Sequence, residues 1–138
     1  MSTPQPYLIA AGLYYICNPM HRTPILGKSQ WTILPTDEVD TFRTAYIKTW
    51  LLAHIGWGLY YKNQAIDYLG LAQDHITKVF LAKFVNDQPH NTWHGYPADY
   101  QRNPQDIPDL SILKLWLQDG ILPQSKISKI VKAKPCKL

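Results

Sequence analysis

The sequence is poor in cysteine and glutamate, and it has no long hydrophobic run. Its 138 residues include 2 cysteines, Cys17 and Cys136, and one glutamate, Glu38. Two cysteines are too few for a disulfide framework and fit a reducing cytosol, while one glutamate excludes paired-glutamate catalysis. No segment approaches the roughly 20 apolar residues that cross a bilayer, and the apolar run Tyr7–Cys17 follows no basic leader. We therefore expect a cytoplasmic protein with no membrane partner.

Several motifs that identify nucleotide-binding proteins and metalloproteases are also missing. The chain has no Gly-x-Gly-x-x-Gly, no Walker phosphate loop, no His-Glu-x-x-His and no internal repeat. We therefore expect no cofactor. With 46% hydrophobic, 17% charged and 12% aromatic residues, the composition is typical of a globular protein. The length predicts a single domain that buries its core without disulfides or metals.

Positive charge is concentrated at the C-terminal end. The formal net charge is +4, and five lysines follow the last acidic residue, Asp119. They are Lys126, Lys129, Lys132, Lys134 and Lys137, and taking their five charges from +4 leaves −1 for the rest. Lysine-rich segments bind phosphates through Coulomb attraction and counterion release. A solvated end that keeps the protein soluble is an equally common explanation.

The hydrophobic pattern predicts an α+β protein. We expect a small, mainly antiparallel sheet packed on one long amphipathic helix, with a C-terminal two-helix unit and a basic tail. Runs of strand-forming residues predict strands at Tyr7–Cys17, Gln30–Leu34 and His75–Val85, whereas Ile66–Leu71 is ambiguous between a strand and a helical turn. In His75–Val85 both faces are largely apolar, which indicates a buried strand with Lys78 and Lys83 near its ends.

The long helix is predicted over Thr36–Trp57. Thr36 or Asp37 can cap its first turn, where acidic side chains interact favourably with the helix dipole. Its apolar stripe repeats at three- and four-residue steps: Val39, Phe42, Tyr46, Trp50, Ala53 and Trp57. The helix would therefore dock against the core for about 20 residues.

Residues 1–108 are predicted to form the α+β body, 109–132 a helical hairpin, and 133–138 a basic tail. Asp109 is a candidate cap, Gly120 ends the first helix, and Pro123 opens the second. We predict Leu110, Leu113, Trp116, Leu117, Ile127, Ile130 and Val131 on the buried side. The outline matches a helix-turn-helix, but the second helix offers mainly lysines, which contact phosphates rather than base edges.

The segment His90–Arg102 concentrates the titratable and aromatic residues and is predicted to be a loop. The imidazole group titrates near neutral pH, so His90 and His94 are candidates for the general acid and base of a metal-independent ribonuclease. Asp99 would orient a histidine, and Arg102 or a lysine of the C-terminal tail would balance the charge on the phosphate. These four residues form the candidate catalytic set.

Candidate binding residues follow from the same hypothesis. Trp93, Tyr96 and Tyr100 would stack on unpaired bases, while Lys126, Lys129, Lys132 and Lys134 would contact the phosphates. The chain would then be a small cytosolic protein that interacts with RNA or DNA. Trp, Tyr and Arg also concentrate binding energy at protein interfaces. The alternative is therefore a non-enzymatic inhibitor, immunity or adaptor protein that binds a protein partner through residues 90–102.

Two explanations compete with both hypotheses. The first is packing, in which Trp93 and Tyr96 fasten the segment to the core while the histidines make ordinary hydrogen bonds. The second is a metal site, because the spacing of His90 with His94 and of Cys17 with His21 could present four ligands. No known zinc pattern brings those two pairs together. Exposure of Trp93 and a cleft shared with the lysines are the observations that separate these hypotheses.

Overall fold

The computed structural model describes residues 5–87 and 90–138 and confirms the α+β class. In these ranges the strands are β1 Tyr7–Ala10, β2 Leu13–Tyr15, β3 Gln30–Trp31, β4 Ile55–Lys62, β5 Ala65–Asp67, β6 Gly70–Leu71, β7 Lys78–Val79, β8 Leu81–Asp87 and β9 Thr92–Pro97. The α-helices are α1 Pro35–Ile47, α2 Leu110–Gln118 and α3 Gln124–Val131. Short 3-10 helices cover Pro19–His21 and Pro104–Asp106. No helix among the described residues is long and apolar enough to cross a membrane.

The main sheet is mixed rather than mainly antiparallel. Across the described ranges, six strands lie in the order β1-β2-β9-β8-β4-β5. The pair β2 and β9 is parallel, with Tyr14 opposite Thr92 and Tyr15 opposite Trp93. The prediction missed this pair because β2 and β9 are distant in sequence, and only a long connection permits parallel pairing. Strands β3, β6 and β7 form a second, small antiparallel sheet.

The helix predicted over Thr36–Trp57 is wrong in its second half. Helix α1 has 13 residues, and the chain then turns through Thr49, whose φ of 64° lies outside the helical region. Trp57 lies in β4. Helical spacing extended to Trp57 because apolar residues of the helix, the turn and the strand follow one another at three- and four-residue steps, although Tyr46 and Ala53 are exposed. Pro35 opens the helix, and Leu34 at the cap position makes no side-chain cap bond.

Two predicted strands are interrupted. Tyr7–Cys17 contains the β1–β2 hairpin, because Gly12 turns the chain at a φ of +73°. His75–Val85 contains β7 and most of β8, while His75 itself lies in a turn with a φ of 59°. The ambiguous segment at 66–71 holds residues of two short strands, β5 and β6.

The two C-terminal helices agree with the prediction. The Asp109 carboxylate accepts a hydrogen bond from the Ser111 amide at 3.0 Å, and Gly120 follows α2 with a φ of +71°. The predicted buried side is wrong for Leu110, Leu117 and Val131, which are exposed. All three lie at or near a helix end, where neighbouring elements cover less of the surface.

Helix α1 packs against one face of the main sheet. Phe42 is fully buried, with its ring centroid 4.7 Å from Tyr15, 5.1 Å from Phe84 and 5.6 Å from Trp93. Because side chains alternate along a strand, the neighbours of Phe84 and Trp93 in β8 and β9 point to the opposite face. That opposite face carries Lys83, His94 and Tyr96.

Candidate functional site

The segment His90–Arg102 is not a loop, because its centre is strand β9. This strand lies between β2 and β8, inside the main sheet. Trp93 is 3% exposed and packs beside Phe42 in the core. Alternation of polar and apolar residues in Thr92–Pro97 is the signal that indicates such a strand. The predicted binding residue Trp93 is therefore inaccessible to a base or a protein partner in this conformation.

The two predicted catalytic histidines lie in different surroundings. His90 is exposed in the turn before β9, and Asn91, with a φ of 49°, separates it from the strand. His94 is half-buried within β9, opposite Val85. Burial lowers the pKa of His94 despite the charge of Asp87, so its imidazole is neutral at pH 7. No interaction joins the two rings within the described residues, so a shared reaction site has no support from their placement.

Asp99 and Arg102 neutralise each other. Asp99 is 3% exposed and accepts hydrogen bonds from the Gln73 amide at 3.0 Å and from Arg102 Nη1 at 3.2 Å. Arg102 Nη2 donates to Asp74 at 2.9 Å. Hydrogen bonds from Thr77 lower the pKa of the Asp74 carboxyl, and Arg102 contributes to the same shift. The guanidinium thus faces two carboxylates and has little charge left for a phosphate.

Tyr96 belongs to a polar cluster on the face of the sheet away from α1. Its hydroxyl donates to Asp106 at 2.9 Å, and the His21 ring stacks on it at 5.1 Å. Lys83 donates to the Gln105 carbonyl at 2.6 Å and lies 3.7 Å from the Asp106 carboxylate. Burial raises the pKa of both Tyr96 and Asp106. The cluster is a nearly closed network in which Tyr96 has no free donor.

The sequence prediction missed the role of Lys83. It was expected near a strand end, yet it is 7% exposed in β8, opposite Tyr96. A lysine inside an otherwise apolar run indicates a buried partner, because an unpaired buried charge costs several kcal/mol. That signal predicts a carboxylate but not its identity, since Asp106 arrives from a distant 3-10 helix.

The C-terminal segment, residues 133–138, folds back onto the body instead of forming a free tail. The Tyr100 hydroxyl donates to the Lys134 carbonyl at 2.7 Å, and Lys126 Nζ donates to the Leu138 carbonyl at 3.0 Å. Leu138 packs against the core, and Cys136 is half-buried. Burial raises the pKa of Tyr100 to about 12, so its hydroxyl keeps its proton.

A cleft of about 580 Å³ opens beside this segment, and we call it the Tyr100 cleft. It is lined by residues 66–68, 72, 76–81, 98–101 and 135–138, so its lining includes Tyr68, Lys78, Tyr100 and Lys137. Lys78 Nζ lies 4.7 Å from the centroid of the Tyr68 ring. Asp99 also lines the cleft, with its charge engaged by Arg102. Of the predicted site residues, Tyr100 and Asp99 line the cleft, whereas Lys126, Lys129, Lys132 and Lys134 do not; the C-terminal segment contributes Lys137 to the lining.

The remaining predicted residues lie elsewhere. His90, Trp93, His94, Tyr96 and Arg102 are absent from the lining of the Tyr100 cleft. Lys129, Lys132 and Lys134 are exposed on α3 and the segment after it, and Lys126 is half-buried. In residues 5–87 and 90–138, no three His, Cys, Asp or Glu side chains are placed to hold a metal ion. Cys17, His21, His90 and His94 therefore do not form the four-ligand site that their spacing allowed.

Comparisons of this chain with protein-family models, curated proteins and solved structures found no match.

Proposed function

We propose that this protein binds single-stranded nucleic acid through its lysine-rich C-terminal surface. The supporting observation is the Tyr100 cleft, whose lining combines Tyr100, from the His90–Arg102 segment, with residues 135–138 of the C-terminal segment. Stacking surfaces beside lysines are what proteins use to hold unpaired bases and their phosphates. The proposal concerns RNA or DNA, without sequence readout, because lysines contact phosphates rather than base edges.

The lysines of this surface are free to meet phosphates. Lys129, Lys132, Lys134 and Lys137 are exposed, and none has an ion-pair partner in the part of the chain that the structure describes. The charged side chains after Asp119 are all lysines. Lys126 donates one hydrogen bond to the Leu138 carbonyl, and this bond fixes the backbone that carries Lys137. A persistent positive potential of this kind attracts polyanions.

Cleavage of RNA by His90 and His94 is a separate hypothesis, on which the binding proposal does not depend. It requires His90 and His94 to act on one phosphate that Arg102 or a C-terminal lysine neutralises, and of these cations Arg102 already pairs with Asp74 and Asp99. It stays a prediction, which RNA hydrolysis by His90→Ala and His94→Ala variants tests directly. In the alternative hypothesis, residues 90–102 bind a protein partner. Trp93 would not contribute to that contact, because it is 3% exposed.

The test is the salt dependence of binding to a fluorescently labelled single-stranded oligonucleotide, measured by anisotropy from about 50 to about 200 mM salt. Each lysine that releases a counterion contributes about −0.7 to the slope of log K against log salt. The double variant Lys129→Gln/Lys132→Gln should therefore bind more weakly and flatten the slope by about 1.4. Surface changes of this kind alter stability by less than about 0.5 kcal/mol, so folding is not at risk.

A matched control separates this surface from overall charge. Lys48→Gln/Lys62→Gln removes the same charge at exposed positions after α1 and at the end of β4. We expect this control to bind nearly as the unmodified protein does. Equal losses in both double variants, binding that ignores salt, or no binding at all would each overturn the proposal.

A further inference from the structure

We infer that the Tyr100 cleft is a pocket for one unpaired nucleotide, with its base against the lining tyrosines Tyr68 and Tyr100 and its phosphate on lysine. The inference rests on the proposed function and names what the cleft itself would hold. The shared chemistry is an aromatic heterocycle joined to a phosphate, and it has two sources: a free mononucleotide or one residue of a single strand.

The size and floor of the cleft suit such a ligand. Small-molecule sites occupy about 300 to 1,000 Å³ and are mostly apolar with a few polar groups. The cleft measures about 580 Å³. Its lining includes Ala72, Val79, Leu81 and Ala98, all of them buried. This apolar floor favours a ring over a fully solvated ion.

The ring of Tyr100 is held in place by the fold. Tyr100 is half-buried, and the bond from its hydroxyl to the Lys134 carbonyl fixes the ring and the C-terminal segment together. A ring that is already ordered loses little entropy when a base stacks on it. Tyr68 also lines the cleft, with the Lys78 cation 4.7 Å from its ring centroid. The cleft therefore offers one ring that is fixed by a hydrogen bond and one ring beside a positive charge.

The charges of the cleft favour an anion. Lys78 and Lys137 are exposed and have no carboxylate partner within the described ranges. Of the two side-chain carboxylates in the lining, Asp99 is compensated by Arg102. Asp67 accepts a hydrogen bond from the Tyr68 amide and carries the remaining negative charge. Two lysines against one uncompensated carboxylate leave a net attraction for phosphate.

The experiment is a titration of the backbone amide signals by NMR with three probes: AMP, adenosine and inorganic phosphate. AMP is expected to shift the amides of residues 66–68, 76–81, 98–101 and 135–138, and to bind more tightly than either fragment. Lys78→Gln should weaken AMP about fivefold and leave adenosine nearly unchanged. Tyr68→Leu should weaken both by roughly fivefold or more, because base stacking contributes about 1 kcal/mol or more.

Two further variants control for folding and for charge. Tyr100→Phe keeps the ring while it removes the bond to Lys134, so AMP should still bind, with larger shifts at residues 134–138. Lys48→Gln removes a distant charge and should leave AMP affinity as it is. Phosphate alone reproducing the AMP shifts, or AMP shifts confined to residues outside the cleft, would overturn the inference.

The two proposals fail in different ways. If a labelled oligonucleotide binds with the lysine-dependent salt slope while AMP leaves the cleft signals unmoved, the nucleotide pocket is wrong and the binding function stands. If AMP shifts the cleft signals while the oligonucleotide does not bind, the pocket stands as a mononucleotide site and the binding function is wrong.

Discussion

The strand β9 and the C-terminal segment 133–138 both combine aromatic or apolar contacts with polar side chains, yet they use them differently. In and beside β9, Trp93 is buried, Tyr96 bonds to Asp106, and Arg102 pairs with two aspartates. In the C-terminal segment the backbone is anchored through Tyr100, while the lysine side chains remain exposed and unpaired within the described residues.

The difference shows why residue types alone are a weak guide to a binding site. A polar group that already has a partner must give up that bond to hold a ligand, so its net contribution to affinity is small. A lysine that lacks a partner has no such bond to break when it binds a ligand. Strand β9, where candidate side chains are most crowded, therefore has little capacity left for a ligand, whereas the C-terminal segment with its exposed lysines has more.

The largest expected effect comes from Trp93→Ala, which should destabilise the protein by about 3 to 5 kcal/mol because it leaves a large cavity beside Phe42. Urea unfolding at fixed pH measures the loss. Trp93→Phe keeps most of the volume and should lose less. If Trp93→Ala kept its stability but lost oligonucleotide binding, the tryptophan would be a binding residue and the contrast between the two regions would break.

The next effect concerns the buried charges beside Tyr96. Asp106→Ala should cost about 3 kcal/mol, because it leaves Lys83, which is 7% exposed, without its carboxylate. The double variant Lys83→Met/Asp106→Leu removes both charges and should recover most of that loss. A double-mutant cycle on urea unfolding, closed by the single variants Lys83→Met and Asp106→Leu, measures the coupling. Additive losses would show that the network is open to water and has capacity for a ligand after all.

Sequence patterns predicted the fold where the signal is local. The Asp109 cap and the two C-terminal helices follow from neighbouring residues, and the structure confirms them. The cap predicted for α1 at Thr36 or Asp37 is wrong, because the helix begins at Pro35 with Leu34 at the cap position. The end of α1 was also wrong, because Trp50 and Trp57 keep helical spacing although Thr49 turns the chain before them. Burial of Trp50 and Trp57 was predicted correctly even though their secondary structure was not.

The candidate site depends on contacts that no local pattern contains. The bond between Tyr100 and Lys134 joins residues 34 positions apart, and it decides that the C-terminal segment borders a cleft. The partners of Arg102 and Tyr96 likewise decide that those side chains are occupied. A single sequence shows which residues can bind something, whereas the path of the chain determines which of them are still free.

The smallest expected effect is on the pH dependence of stability, and it distinguishes His94 from His90. Burial lowers the pKa of His94 in the folded protein, and the half-buried His21 is shifted in the same direction for the same reason. The unfolded chain therefore takes up protons first, near pH 6.5. Stability should be full above that pH and should fall as the pH drops through about 6.5 toward the lower pKa of the folded state.

Urea midpoints measured between about pH 7.5 and about pH 5.5, a range that spans the ordinary histidine pKa, test this expectation. His94→Gln should make the decline shallower, because one of the groups responsible is gone. His90→Gln is the matched control, since His90 is exposed in the turn four positions earlier, and it should leave the decline as it is. If the stability of the two variants declines alike as the pH drops, His94 is as solvated as His90. Both imidazoles would then be accessible, as a reaction site in this segment requires.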